Sequence, residues 1–503
     1  MRQRLARTLR FALLKASGRL PARPHDTQAS EESLPGVFAR LMAERLDAHA
    51  GESGLAPLEE GEEALLARLV LIHNAEATLD VQYYIWRNDL TGTLLTLFLL
   101  QAADRGVKVR LLLDDLGTQP DDRVWRALDS HPNIEIRLYN PVAWRRWRLV
   151  GLLLGALRLN RRMHNKSLTA DRAATIIGGR NIGDEYFGAN AQVDFHDLDV
   201  LGIGDVVGEV ADAFALFWAH RLSLPVEVFY RKPLPGDALA TLRVQFQQRL
   251  EGHYGTVYLQ ALGERLALES QRQHGMRLFW GKADVLFDHP DKTLAEAPTL
   301  TLSEQLQPLM NDSRHQLDIV SPYFVPGLKG ALWLRRQAQR GVQVRVLTNS
   351  LAATDVTAVH AGYARYRRLL LKAGVALYEL RPDPSQHIVR RKWLGRSRSS
   401  LHAKTFVLDR RYVFIGSLNF DPRSVAINTE IGVIFDNAEL AARLGERFER
   451  LLAQESYALE TRRTGLRWRD LSGVRNWQHE PHSTALQRCW VWLLQLLPIE
   501  SQL

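Results

Sequence analysis

MHNKSLTAD at residues 163–171 and LHAKTFVLD at residues 401–409 share one pattern: a histidine, a lysine two residues on, and an aspartate five beyond that. With 16 histidines, 10 lysines and 29 aspartates among 503 residues, chance should place this pattern about 0.02 times per chain. Two occurrences therefore point to a duplication. The register also persists downstream. After six intervening residues Asp171 leads to Gly178, Gly179, Arg180 and Asn181, and Asp409 leads to Gly416, Ser417, Leu418 and Asn419.

Working outward, the repeat extends through the chain. LDVQYYIW (79–86) answers LDIVSPYF (317–324), and AADRGVKVRLLLDD (102–115) answers QAQRGVQVRVLTNS (337–350), at offsets of 238 and 235 residues. Each copy reads as strand, helix, buried strand, then the motif strand and a further apolar run. The fold class expected is α/β, with two tandem domains packed about a pseudo-twofold axis and one site between them. The expected divisions are a basic arm at 1–50, a first domain at 51–225, a connection at 226–275, a second domain at 276–455 and a tail at 456–503.

Length and composition agree with two cores. A net charge of +9 and a pI near 9.6 suit an anionic partner, whether nucleic acid, acidic lipid or a phosphorylated substrate. Cys489 is the only cysteine, which excludes an intrachain disulfide framework and a cysteine-cage zinc site. No apolar run approaches the roughly 20 residues of a spanning helix. Basic, aromatic stretches precede both motifs: WRRWRLVGLLLGALRLNRR (144–162) and IVRRKWLGRSRSS (388–400). The first fits an element lying in a membrane interface or a buried helix with a solvated basic flank, and CWVWLLQLLP (489–498) near the C terminus fits an interfacial anchor or a segment packed against a domain. Apolar segments beside basic ones favour lipid over DNA.

On a strand of period two, His164 and Lys166, or His402 and Lys404, share a face. If the halves face each other, both pairs converge on one point where cations and the Asn181 and Asn419 amides hold phosphate oxygens. Two imidazoles about one phosphorus suit a two-step displacement, with one attacking and the other moving a proton. Neither a metal nor another cofactor is required. Each histidine also needs a carboxylate on its second nitrogen. Aligning DVLGIGD with EIGVIFD offers Asp199 and Glu430, with Asp197 a rival to Asp199. Tyr84, Tyr323 and Phe324 end the first strand of each unit, where they either line the cleft or fill the core.

With these residues in place, the chain resembles the phospholipase D superfamily, and within it the bacterial cardiolipin synthases of the C type, over nearly its whole length. The resemblance implies a phosphohistidine intermediate and transfer of a phosphatidyl group to phosphatidylglycerol, with phosphatidylethanolamine as a candidate donor. It implies His164 as nucleophile and His402 as acid and base. Lys166, Lys404, Asn181, Asn419 and Ser417 would meet the substrate phosphate. Asp171 and Asp409 complete the catalytic motifs and would brace the site rather than touch substrate. Gly179, where the second copy has Ser417, departs from a strict Gly-Ser pair. The expected setting is the cytoplasmic face of a bacterial inner membrane, with anionic phospholipid and an activating protein as partners and no nucleic acid. The alternatives using the same residues are a hydrolase and a nuclease.

Overall fold

The computed structural model describes residues 37–503, apart from 119–121, 144, 146, 191–192, 231–233, 271–275, 295–299, 383–397, 464, 472 and 474. The expected basic arm up to residue 36 and most of 388–400 lie outside the described residues.

The first half supplies strands β1 (Ser53–Leu58), β2 (Thr78–Tyr83), β3 (Lys108–Asp114), β4 (Ile134–Tyr139), β5 (Ser167–Ala170), β6 (Ala174–Gly178), β7 (Val193–His196), β8 (Asp199–Gly204) and β9 (Ser223–Pro225). The second supplies β10 (Phe279–Phe287), β11 (Gln316–Val320), β12 (Gln343–Asn349), β13 (Ala376–Leu380), β14 (Arg398–Leu401), β15 (Thr405–Leu408), β16 (Tyr412–Gly416), β17 (Ile431–Asp436) and β18 (Ser456–Arg462). Pairing orders the first sheet β9-β4-β3-β2-β5-β6-β8-β1. The second runs β18-β13-β12-β11-β15-β16-β17-β10. The two orders correspond strand for strand.

Helical crossovers make β2, β3 and β4 parallel, as they do β11, β12 and β13. Strands covered on both faces need nearly continuous apolar runs, which VRLLL and VRVL provide. Leu79, Val81 and Tyr83 of β2 are fully buried, and each such side chain contributes about 1.5–3 kcal/mol. The repeat also duplicates an ion pair between neighbouring strands: Asp80 accepts both forks of Arg110, and Asp318 both forks of Arg345, at 2.6–2.7 Å.

Two expected divisions change. Residues 226–275 are not a simple connection, because helices Ala238–Glu251 and His253–Ser270 bury Leu242, Phe246, Tyr258 and Leu262 in the first core. Nor is 456–503 only a tail. Strand β18 completes the second sheet against β13, and a strand at Gly465–Asp470 extends it.

The halves join through backbone as well as side chains. β1 pairs antiparallel with β10, and β7 pairs parallel with β14. A bridge between Met163 and Thr429 mirrors the second of these contacts. These cross-connections bring the two motifs to the boundary between the halves.

Candidate active site

His164 and Lys166 lie just before β5 rather than within it, and His402 and Lys404 lie between β14 and β15. Each histidine is held by the opposite half: the His164 N–H donates to Thr429 O at 2.9 Å, and that of His402 to His196 O at 2.8 Å. In return, Thr429 N–H donates to Arg162 O. Upstream, buried Arg162 donates to Asp114, whose other oxygen accepts from Met163 N–H, fixing the backbone that presents His164. Nothing in the motif pattern announced Asp114 or Arg162 as positioning residues.

The carboxylates also cross the boundary. His164 Nδ1 is 2.9 Å from Glu430 Oε2, and His402 Nδ1 is 2.6 Å from Asp197 Oδ2. Asp199 is not the partner of His402. It accepts from Arg68 at 2.7 Å and from the Arg180 backbone at 3.1 Å, within a buried cluster that includes Tyr83. The strand register explains the correction. Gly178 pairs with Asp199 and Gly416 with Gly432, so the true counterpart of Glu430 stands two residues earlier, at Asp197.

This register also accounts for the Gly179 and Ser417 difference. Ser417 Oγ donates to Glu430 Oε2 at 2.5 Å and accepts from Ile431 N–H, so it braces the carboxylate instead of facing substrate as expected. A Cβ at Gly179 would come within 2.1 Å of Asp197 Oδ1. Glycine there leaves the room that the shorter carboxylate occupies.

Asp171 and Asp409, included among the motif's catalytic residues, stand away from the chemistry. Asp171 accepts from the backbone N–H groups of Glu76, Ala77 and Thr78 at 2.8 Å. Asp409 accepts likewise from Arg314, His315 and Gln316 at 2.8–3.0 Å. Both sit at positive φ, as do Arg172 and Arg410 after them. Aspartate tolerates this conformation better than most residues and suits the tight hairpin into the next strand. The same side chain ties that hairpin to the entry of β2 or β11.

The asparagines are unequal. Asn181 accepts from Ile85 N–H at 3.2 Å and donates to Tyr186 Oη at 2.9 Å. Buried Asn419 has an Oδ1 without a hydrogen-bond partner.

Electrostatics favour neutral histidines and ionised carboxylates. Burial pushes His164 down to about 4 against the opposing pull of Glu430, and burial with the nearby Lys404 cation lowers His402. Burial alone would raise Glu430 and Asp197; instead His164 holds Glu430 down, and His402 with Lys404 holds Asp197 down. Ionised carboxylates can only accept, so the Nδ1 atoms carry the protons and each Nε2 keeps its lone pair. Burial lowers Lys166 to about 7 and also lowers Lys404. Lys166 responds to Lys404, His164 to Lys404, and His402 to Lys166. The two motifs therefore share one electrostatic site, with Lys166 Nζ donating to His164 O at 2.6 Å and Lys404 Nζ donating likewise to His402 O.

Aromatic rings surround the imidazoles. Tyr84 meets His164 edge-on at 5.0 Å, while Tyr186 and Phe195 pack on His402 at 5.1 and 5.2 Å. Phe324 is instead core. Tyr323 donates to exposed Asp355 at 2.7 Å, and the Asp355 charge acts on Lys404. Among the described residues no group of three or more histidine, cysteine or acidic side chains is arranged to hold a metal ion. No helix among them is long and apolar enough to cross a membrane.

Two duplicated α/β units contributing one histidine–lysine pair each, with carboxylates exchanged across the interface, define a two-motif protein of the phospholipase D type. The family model described as cardiolipin synthase, PLD-like domain matches residues 69–218 and 306–452, and the chain belongs to that family. It is 43% identical to cardiolipin synthase C of Escherichia coli over 459 residues, 90% of this chain and 96% of that protein. An uncharacterised protein of Helicobacter pylori is 34% identical over 80% of each chain, and cardiolipin synthase B of E. coli 26% identical over 79% of this chain and 80% of its own length. The fold is similar to that of the solved phosphatidylserine synthase of Haemophilus influenzae, with a TM-score of 0.59 at 13% identity, covering 92% of this chain and all of that one.

Proposed function

We propose that this protein is a cardiolipin synthase that moves a phosphatidyl group from a donor phospholipid to phosphatidylglycerol at the face of a membrane. The observation that carries the reading is the pair of neutral imidazoles, each oriented through Nδ1 by a carboxylate from the opposite half. His164 Nε2 attacks the donor phosphorus, forming a P–N bond as the P–O bond to the headgroup alcohol breaks. His402 gives its proton to that alkoxide. Burial and the Lys404 cation lower the His402 pKa, and an anionic phosphodiester seated between Lys166 and Lys404 favours the imidazolium. In the second step His402 takes the proton of a phosphatidylglycerol hydroxyl, whose oxygen displaces His164 from phosphorus.

For the donor we infer a phospholipid with a cationic headgroup, such as phosphatidylethanolamine. Asp355 supports this, as an exposed carboxylate held by Tyr323 whose charge reaches Lys404 beside the proton-donating His402. Among the described residues no cation is placed to pair with it. The setting that fits is peripheral, on the cytoplasmic face of the inner membrane.

The test is mass analysis of products from the full chain incubated with vesicles of phosphatidylglycerol and isotopically labelled phosphatidylethanolamine. A parallel reaction supplemented with cell extract probes the expected activating protein. Cardiolipin carrying one labelled phosphatidyl group, with free ethanolamine, is the expected result, and His164→Ala or His402→Ala should abolish it. Phosphatidic acid alone would mean a hydrolase, and cleaved DNA without lipid turnover a nuclease.

A further inference from the structure

The C-terminal helix Ala485–Gln495 is amphipathic in an unusual direction, with its bulkiest side chains turned to solvent. Leu486 is 79% exposed, Trp490 55%, Trp492 59% and Leu496 64%, with Leu493 and Leu497 also exposed. Leu486, Trp490 and Leu493 follow helical spacing along one stripe, and Trp492 flanks it. The inner side is well anchored. Val491 packs with Leu351 and Ala361, Thr484 and Gln487 form a capping box, and Arg365 donates to the carbonyls of Gln495 and Leu497.

A second exposed apolar group, Trp147, Leu149 and Val150, connects to the same region. The helices at Arg148–Leu154 and Ala156–Leu159 end at Asn160, which donates to Gln502 Oε1 at 2.8 Å and accepts from Arg423 at 2.9 Å. Arg423 N–H in turn donates to Leu503 O. Both anchors border the active site. Asn160 stands four residues before His164, on the segment that buried Arg162 ties to Asp114, and the helix Thr357–Ala364 that carries Ala361 follows directly on Asp355, the acceptor of Tyr323.

Resting on the lipid-transfer reading above, we propose that the C-terminal helix with its following turn, together with Trp147 and Leu149, is the surface that enters the headgroup–acyl boundary of an anionic bilayer beside the active site. The chemistry matches this one occupant. From Thr484 to Pro498 the only charged side chain is Arg488, while Arg158 lies in the helix that ends at Asn160, and Arg423 links Asn160 to Leu503. Tryptophans and leucines flanked by arginines suit the interface of an anionic membrane, and the apolar stretch is too short to span one.

Flotation of the full chain with vesicles of phosphatidylglycerol and phosphatidylcholine, beside turnover of short-chain, monomeric phospholipids, separates this proposal from the assigned chemistry. Trp490→Glu with Trp492→Glu should lower vesicle-bound protein at least tenfold while turnover of monomeric lipid stays at the wild-type level. Trp147→Glu with Leu149→Glu should weaken binding independently, which guards against misfolding of the C-terminal variant. As a readout without substitution in the apolar face, a polarity-sensitive dye on Cys489, which is free and exposed, should shift to the blue with anionic vesicles. Flotation unchanged in both paired variants would overturn the surface while leaving the chemistry standing. So would a dimer in solution that the Trp490 and Trp492 changes dissociate. Loss of monomeric-lipid turnover by the wild-type chain would instead overturn the reaction.

Discussion

Glu430 and His164 are 266 residues apart in sequence, yet Oε2 and Nδ1 approach to 2.9 Å across the boundary between the halves. Asp197 and His402 repeat the relationship at 2.6 Å in the opposite sense. Neither half holds a complete histidine–carboxylate pair, so docking of the halves and assembly of the catalytic groups are one event. Glu430→Gln and Asp197→Asn should each lower kcat on the order of 100-fold or more, because the amide no longer enforces the reactive tautomer. Circular dichroism should show the fold retained, and near-wild-type kcat in either variant would refute the assigned pairs.

Asp199 should behave differently. Its partners are Arg68 and both the backbone and the guanidinium of Arg180, and removing one charge of a buried pair costs about 3–5 kcal/mol. Asp199→Asn is expected to lower the unfolding temperature measurably, while the enzyme that remains folded keeps kcat at its optimum pH within about tenfold of the wild type. A loss as large as that of Asp197→Asn would place Asp199 in the chemistry after all.

Gly179→Ser should not restore a harmless symmetry. The added Cβ meets Asp197 Oδ1 at 2.1 Å, so the carboxylate must move away from His402, and kcat should fall at least tenfold. Wild-type turnover in this variant would show that Asp197 has another position to adopt.

The depressed His164 pKa sets an acid limit. Burial lowers it to about 4 from an unfolded value of about 6.5, so the unfolded chain binds this proton first. The associated stability is complete above about pH 6.5 and is lost as the pH falls toward 4, amounting to at most about 3 kcal/mol. Melting curves between pH 7 and 4 should therefore show a smaller acid-induced drop for His164→Asn than for the wild type. Equal slopes would contradict the depressed value.

Asp355→Asn should reduce preference for a cationic headgroup. An exposed ion pair is worth up to about 1 kcal/mol, so discrimination between phosphatidylethanolamine and an uncharged-headgroup donor should fall up to about fivefold. The change should appear in KM rather than kcat. Unaltered selectivity would remove Asp355 from donor recognition.

The duplication, the α/β class and the candidate residues of the centre were legible in the spacing alone, because spacing along a chain survives into any fold built from it. His164, Lys166, His402 and Lys404 needed only a pattern occurring twice. Which carboxylate serves which histidine was decided by tertiary structure. Asp197 and Asp199 are separated by the period of a strand, so periodicity treats them alike; the strand begins only at Asp199, and the pairing of Gly178 with Asp199 and the exchange across the interface tell them apart. Ser417 looked like a phosphate ligand until its hydroxyl was found on Glu430. Asp171 and Asp409 belong to the motif as residues expected to brace it, but only the folded chain identifies what they hold: each gathers three backbone amides. A side chain's type states what it is able to bind, and packing in three dimensions selects which partner it meets.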